Sequence, residues 1–182
     1  HIWFYSWFCY RWLVWWFRES ALHADGSVMK VVELLKEKGH TYEAEGATWF
    51  KATEFGADKD FVLVRSNGVP TYVVPDIAYH YGKLVTRGYD KAIDVLGADH
   101  HGYVPRLKAA LQALGVDPDR LDVVLMQMVR LIRDGEVVKA SKRSGKAITL
   151  VTLLDEVPID AARFYFNLRE ANSQFDFDLD LA

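Results

Sequence analysis

The feature that most constrains the fold of this chain is a short apolar strand, a helix and a second apolar strand in succession. Ala92–Leu96 and Val123–Met128 are nearly continuous apolar runs of strand length. Between them, Tyr103–Leu114 repeats apolar residues at helical spacing and stops at Gly115. Buried strands joined by a crossover helix are typical of a parallel sheet, so the pattern predicts an α/β fold.

A smaller piece, built from one helix and β-hairpins, is predicted ahead of this core. Asp25 or Ser27 caps a helix whose apolar residues recur at helical spacing and which ends at Gly39. Short β-like runs follow this helix and are separated by turn residues. The runs are Thr41–Ala44, Ala47–Lys51 and Phe61–Arg65, with a turn at Glu45-Gly46 and an Asn67-Gly68 hairpin signal that leads into Thr71–Val74.

Further helices and one hairpin complete the predicted core. They alternate with the strands, as the secondary structure of α/β proteins does. These elements are a helix of about ten residues from Pro75 and Asp76 to near Gly88, a hairpin turning at Asp134-Gly135, and two helices starting near Thr149 and Asp160.

The composition is that of an ordinary globular chain. With 182 residues, of which 51% are hydrophobic and 26% charged, it can form one domain with a small insertion. The net charge of -3 gives no general attraction to nucleic acid, so such a contact would need a local basic patch. Cys9 is the single cysteine, which excludes an internal disulfide and a multi-cysteine zinc site and fits a reducing, cytoplasmic setting.

The first 17 residues differ from the rest and hold five of the six tryptophans. They lack the basic start and small-residue cleavage site of a signal peptide, and they are shorter than a membrane span and interrupted by Arg11. A buried strand or helix and a membrane-interface contact both stay open, and we assign this segment no role. The chain is therefore divided into an aromatic segment at 1–17, an insertion at 18–70 and the core at 71–182.

The first candidate site is the loop Gly97–Gly102, which follows one predicted strand and precedes a helix. In open α/β sheets, ligands bind beyond the carboxyl ends of the strands. Gly97 lets the backbone approach a ligand, and Asp99 can accept hydrogen bonds from ribose hydroxyls. The alternatives are a tight turn with a helix cap, or a metal site at His100 and His101, for which a third ligand is not obvious.

The second candidate site is the basic loop Lys139–Lys146. Its cations could neutralise the charge that develops on a polyphosphate during group transfer, and Gly145 would leave the loop able to close. Its spacing is not that of a Walker P-loop. The alternative is a solvated basic loop without a ligand.

The two loops in this order resemble class I aminoacyl-tRNA synthetases. Val138–Arg143 is similar to the KMSKS signature of that class, in the KMSKR form common in arginyl enzymes, with Ala140 where the family usually has methionine. Gly97–His100 resembles the family's adenosine-binding segment. Three further stretches are similar to bacterial-type arginyl-tRNA synthetases in the same order and at the same spacing, within a likeness that runs from about Trp16 to Ala182. They are Trp49–Gly56, Thr71–His80 and Gln127–Leu131.

The resemblance implies a fold and a reaction. The fold would be the second half of a Rossmann-like, HUP-type parallel sheet with a small helix-plus-β-hairpin insertion. The reaction would be ATP-dependent activation of L-arginine to arginyl-adenylate, with Mg²⁺ as companion, and transfer to tRNA(Arg). The family also implies a cytoplasmic protein without a membrane partner, monomeric in its full-length form. A non-catalytic nucleotide- or tRNA-binding fragment or paralogue, and a class I synthetase for another amino acid, are the alternatives.

Matched motif by motif, the resemblance also implies residue roles. Tyr72 and Asp76 would bind arginine, although Tyr72 could instead pack in the core or in a hairpin and Asp76 could be a helix N-cap. The adenosine would be held by Gly97, Asp99, His100 and His101 and by the backbone of Met128 and Val129, while Lys139, Ser141 and Lys142 would act at the pyrophosphate leaving group. The family's HIGH motif has no match here, so we expect these 182 residues alone to be inactive or only very weakly active, although the parent protein would be an enzyme.

Overall fold

A computed structural model describes residues 16–138 and 149–182 of the chain. These residues form two compact units. One unit holds the described residues up to Ala92 together with Pro105–Leu121, and the other holds Ile93–Val104 and the described residues from Asp122 onward. In the described ranges, no helix combines the length and apolarity that crossing a bilayer requires.

The first unit begins with two helices, α1 (Glu19–Ala24) and α2 (Ser27–Glu37). The Asp25 carboxylate accepts a hydrogen bond from the Ser27 N–H at 2.8 Å, and hydrogen bonding to Ser27 lowers the pKa of Asp25. A left-handed Gly39, with φ of +76°, follows the end of α2. The predicted helix is confirmed, and it buries the four apolar residues expected to form its inner face: Val28, Val31, Val32 and Leu35. Its N-cap residue is Gly26 rather than the predicted Asp25 or Ser27.

Three antiparallel strands follow, β1 (Thr41–Ala44), β2 (Ala47–Phe50) and β3 (Phe61–Val64). Their order in the sheet is the order of the chain. Glu45 and Gly46 both have positive φ angles, 54° and 73°, which is the geometry of a tight hairpin turn. The predicted runs and the first turn are confirmed.

The connection between β2 and β3 contains the 3₁₀ turn Ala52–Phe55, and Asp60, just before β3, bonds back to this turn. Its carboxylate accepts from the Thr53 N–H at 3.0 Å and from the Thr53 hydroxyl at 2.9 Å. Burial by itself raises the pKa of Asp60, but hydrogen bonds from Thr53 and from the Tyr42 hydroxyl outweigh it and hold that pKa below its ordinary value. Desolvation, followed by the charge of Asp60, raises the pKa of Tyr42 in turn.

The predicted strand at Thr71–Val74 is wrong. The chain makes an isolated bridge between Val64 and Pro70 and then enters helix α3 (Val73–Tyr81). Pro70 has no N–H with which to extend a ladder, whereas Pro75 lies in the first turn of α3, where a missing N–H breaks no intrahelical bond. The helix starts two residues before its predicted start.

Past α3, the chain makes a π-helical turn (Gly82–Thr86). Arg120 holds the segment that follows: its guanidinium donates to the backbone oxygens of Leu84 at 2.9 Å, Tyr89 at 2.6 Å and Asp90 at 3.0 Å. Arg120 ends the 3₁₀ turn Pro118–Arg120, which comes after helix α4 (Val104–Ala113). The predicted amphipathic helix is confirmed by α4, which buries Leu107 and Leu111.

The second unit contains most of β4 (Ala92–Gly97) and β5 (Leu121–Met126), which are hydrogen-bonded neighbours. With α4 between them in the chain, they confirm the strand–helix–strand order. The expectation that both strands are continuously buried is wrong within the described residues. Ile93 and Val95 are each 63% exposed, because alternate side chains of a strand point to opposite faces of the sheet.

A second sheet of this unit has three strands, of which the middle one pairs with the other two. Strand β6 (Val129–Arg133) forms the predicted hairpin with β7 (Glu136–Val137) through Asp134-Gly135, and β8 (Phe175–Asp178) pairs with β6 in parallel. Helices α5 (Leu150–Glu156) and α6 (Ile159–Asn167) lie where two helices were predicted. Their apolar faces form a core around β8, made of Leu153, Val157, Ala162 and Phe177.

Candidate functional site

The two candidate arginine ligands lie on helix α3 in the first unit. Tyr72 occupies the N-cap position and is 68% exposed, and Asp76 lies in the first turn. Residues four apart on a helix share one face, so both side chains start from the same side of α3. Packing of Tyr72 in the core or in a hairpin does not fit its exposure and its place at the start of a helix. The N-cap alternative for Asp76 does not fit either, because Tyr72 holds that position.

Helix α3 is tied to a strand at its start, and a histidine near its end bonds back to the helix backbone. The Thr71 hydroxyl donates to the backbone oxygen of Val62 at 2.8 Å, and the Thr71 N–H donates to that of Leu63 at 2.8 Å, which ties the start of α3 to β3. His80 is buried, and its Nδ1 donates to the backbone oxygen of Asp76 at 2.7 Å. A carboxylate on a rigid helix suits a guanidinium, which is planar and needs a fixed partner geometry.

The candidate adenosine loop follows β4 in the second unit, as predicted. Ala98–His100 form a 3₁₀ turn for which Gly97 is the N-cap residue. A Cβ on Gly97 would lie 2.6 Å from Oδ1 of Asp99, so a side chain at this position would displace the Asp99 carboxylate from its present place. The Asp99 carboxylate is 84% exposed and lies 3.1 Å from Nδ1 of His100. His101 is also exposed. The loop therefore presents a carboxylate to solvent at the end of a strand.

The second candidate adenosine segment lies between two strands of the same unit. Strand β5 ends at Met126, two residues earlier than predicted, and β6 begins at Val129. Met128 is 78% exposed, and the Gln127 N–H donates to the backbone oxygen of Ala171 at 2.8 Å. Gln127 is therefore tied to Ala171, whereas the side chain of Met128 is open to solvent.

The third candidate site lies outside the described residues. Lys139, Ser141 and Lys142 belong to the range 139–148, so their roles stay predictions. For the metal alternative at His100 and His101, residues 16–138 and 149–182 contain no cluster of three His, Cys, Asp or Glu side chains that could hold an ion.

Two supporting residues escaped the sequence analysis. His80 bonds to its own helix one turn back, and a histidine four residues after an aspartate gives only a weak local signal. Arg120 reaches backbone oxygens 30 to 36 residues away, and no local pattern reveals such a contact.

The comparisons with known proteins decide the family. A model described as the catalytic domain of class I tRNA synthetases (R) matches residues 17–176. The chain belongs to this family. A Caldanaerobacter subterraneus protein named arginine–tRNA ligase is 63% identical over 167 residues, and its Bacillus subtilis namesake is 53% identical over the same length. In both cases 92% of this chain is covered but only 30% of the relative.

Solved structures of the class I synthetase family agree with the fold. A Campylobacter jejuni protein described as an arginyl-tRNA synthetase superposes with a TM-score of 0.80 at 39% identity, covering 89% of this chain and 35% of that one. Thermus thermophilus arginyl-tRNA synthetase superposes with a TM-score of 0.66 at 21% identity, covering 85% and 36%. At that identity the second likeness shows the fold alone. The predicted class I α/β fold is confirmed.

Proposed function

We propose that this chain is the second half of the catalytic domain of an arginyl-tRNA synthetase. The observation that carries the proposal is the 63% identity of this chain to an arginine–tRNA ligase. In this chain, Tyr72 and Asp76 share one face of α3. A carboxylate and a phenol on a fixed helix can hold a guanidinium by charge-assisted hydrogen bonds. The substrates and partners are then arginine, ATP and tRNA(Arg), in the cytoplasm.

The reaction needs no protein nucleophile. The arginine carboxylate attacks the α-phosphate of ATP in line, forming arginyl-adenylate and releasing pyrophosphate. A hydroxyl of the terminal ribose of the tRNA then attacks the arginyl carbonyl carbon, forming the ester and releasing AMP. The residues of this chain position the two substrates and stabilise charge. Asp76 and Tyr72 hold the guanidinium, while Gly97, Asp99, His100, His101 and the backbone of Met128 and Val129 hold the adenosine.

The reaction also requires stabilisation of the negative charge on the pyrophosphate leaving group. Lys142, with Lys139 and Ser141, is proposed to stabilise the pyrophosphate as it separates from the α-phosphate. Mg²⁺ would accompany ATP mainly through the substrate phosphates and water, and we assign it no ligand among the described residues.

Charge reversal at Asp76 tests the assignment of the amino acid. In the full-length protein, Asp76→Lys is expected to abolish arginine-dependent tRNA charging, because a cation would replace the carboxylate partner of the guanidinium. Asp58→Lys is the matched control, since Asp58 is an exposed acid in the same unit. Arginine charging that survives Asp76→Lys at the control rate would exclude Asp76 from the site.

Removal of Lys142 tests the proposed mechanism. Loss of one preorganised transition-state donor typically raises the barrier by about 2.7–4 kcal/mol, so Lys142→Ala should slow charging by about 10²–10³-fold. KM for arginine should change little, because Lys142 is not a proposed arginine ligand. An unchanged kcat would remove Lys142 from the mechanism.

A further inference from the structure

A cavity of about 220 Å³ opens in the first unit beside the last residues of α3, where Ala78, Tyr79 and Tyr81 line it. One wall comes from α1 and α2, with Leu22 and Val31, and the other comes from the end of α3 and the π-helical turn. Phe17 stacks on Tyr79 in this wall, with ring centroids 4.4 Å apart. The size suits part of a nucleotide better than a drug-sized ligand, whose pockets are about 300–1,000 Å³.

Basic side chains dominate the rim of this cavity. Lys30 approaches from α2, and Lys83 and Arg87 approach from the π-helical turn and its end. Asp25 is the acid among the lining residues, and its carboxylate already accepts the N–H of Ser27 at the start of α2. Among the described residues that line the cavity, three are cations and one is an acid, in a chain whose overall charge is negative.

Two of the rim cations are held in place by aromatic rings. The Lys83 ammonium lies 4.5 Å above the Tyr79 ring, and the Arg87 guanidinium lies 4.6 Å from the Tyr89 ring and donates to the Tyr89 hydroxyl at 2.6 Å. The three backbone bonds from Arg120 fix the segment that carries Tyr89. Fixed cations lose less side-chain entropy on binding an anion than mobile surface lysines do.

We propose that this cavity is a subsite for one phosphate-bearing nucleotide of RNA. The phosphate lies against Lys83, Arg87 and Lys30, and the sugar and base lie against the apolar wall of Phe17 and Leu22. Cations combined with an aromatic and apolar wall are the features by which proteins bind single-stranded nucleic acid without reading its sequence. The identification of RNA as the source of the phosphate rests on the proposed function.

Salt-dependent binding of RNA to the full-length protein tests this subsite. The probe is a fluorescein-labelled single-stranded RNA hexanucleotide, with affinity followed by fluorescence anisotropy over a range of salt concentrations. Lys83→Ala is expected to weaken binding about tenfold at low salt and to reduce the slope of log K against log salt by about 0.7, the value for one phosphate contact on a single strand. Tyr79→Leu should weaken binding by loss of the ring that holds Lys83, and Tyr79→Phe should restore it.

Lys59→Ala is the matched control, because Lys59 is an exposed cation of the same unit that does not line the cavity. Unlabelled uridine monophosphate and inorganic phosphate are tested as competitors. Competition that is weakened by Lys83→Ala supports the same phosphate chemistry with a free ligand as its source. An unchanged affinity and slope in Lys83→Ala, or an equal loss in Lys59→Ala, would overturn the subsite. Arginine charging by the wild type in the same preparation separates the outcomes, since its absence would refute the proposed function without touching the RNA result.

Discussion

Replacement of Arg120 by alanine is expected to destabilise the first unit more than any exposed charge removal in it. The guanidinium donates to three backbone oxygens, those of Leu84, Tyr89 and Asp90, at 2.6 to 3.0 Å. A hydrogen bond to a charged group contributes about 1.5–3 kcal/mol net, and truncation leaves the carbonyls without that donor. Because Arg120 is half-buried and water can reach part of the gap, we expect a total loss of about 2–4 kcal/mol rather than the full sum.

Urea unfolding measures this loss directly. With a slope of about 2 kcal/mol/M, the middle of the usual range for urea, the midpoint should fall by about 1–2 M. Arg120→Lys keeps the charge but offers a single ammonium in place of a planar fork, so it should recover only part of the stability. Amide exchange gives a local reading, since the Arg87 and Tyr89 N–H groups bond within the same segment and should lose protection. An alanine variant within 0.5 kcal/mol of the wild type, with unchanged exchange, would refute the proposed role of Arg120.

Two further predictions concern the packing of each unit. Phe177→Ala should lower the free energy of unfolding by about 3–5 kcal/mol, measured by thermal or urea unfolding, because Phe177 is fully buried. Phe164→Ala should lower it far less, because Phe164 is 63% exposed. Equal losses in the two variants would contradict the assigned core. Asp60→Asn should reduce stability at neutral pH. The folded pKa of Asp60 lies below its ordinary 3.8, so the difference from the wild type should be full above 3.8 and shrink as the pH falls through the folded pKa. A difference that grows on acidification would be the contrary result.

Local periodicity accounts for the elements that could be predicted. The α2 face and the strand–helix–strand unit each repeat apolar residues at one clear spacing, and the structure follows them. The error at Thr71–Val74 arose where two local signals compete. An Asn67-Gly68 turn favours a returning strand, but two nearby prolines weaken the ladder and suit a helix start.

Strand β8 was not predicted because its signal is long-range. Phe175–Asp178 alternates aromatic and acidic residues, which is the period of a half-buried strand. The strand is completed by parallel pairing with β6, more than forty residues earlier in the chain, and by burial of Phe177 among α5 and α6. A single strand pattern without a neighbour in sequence does not reveal its partner.

The candidate site was predicted mainly from motif resemblance rather than from physical pattern. Spacing alone could place Tyr72 and Asp76 near each other and Gly97 beside a ligand, but it left turn and cap alternatives open. The structure adds local geometry: Asp76 lies within the first turn of α3, and a side chain on Gly97 would displace the Asp99 carboxylate. The supports from His80 and Arg120 are tertiary contacts and have no signature at motif level.

Charging of tRNA(Arg) with labelled arginine by the full-length protein is the most direct test of the central claim. The wild type is predicted to charge tRNA(Arg) in an ATP-dependent manner with arginine and not with lysine, because the planar guanidinium can bind a carboxylate through two parallel hydrogen bonds and an ammonium cannot. Asp76→Lys should be inactive with arginine. A wild type that binds ATP and tRNA but forms no arginyl-tRNA, or that charges another amino acid, would contradict the account.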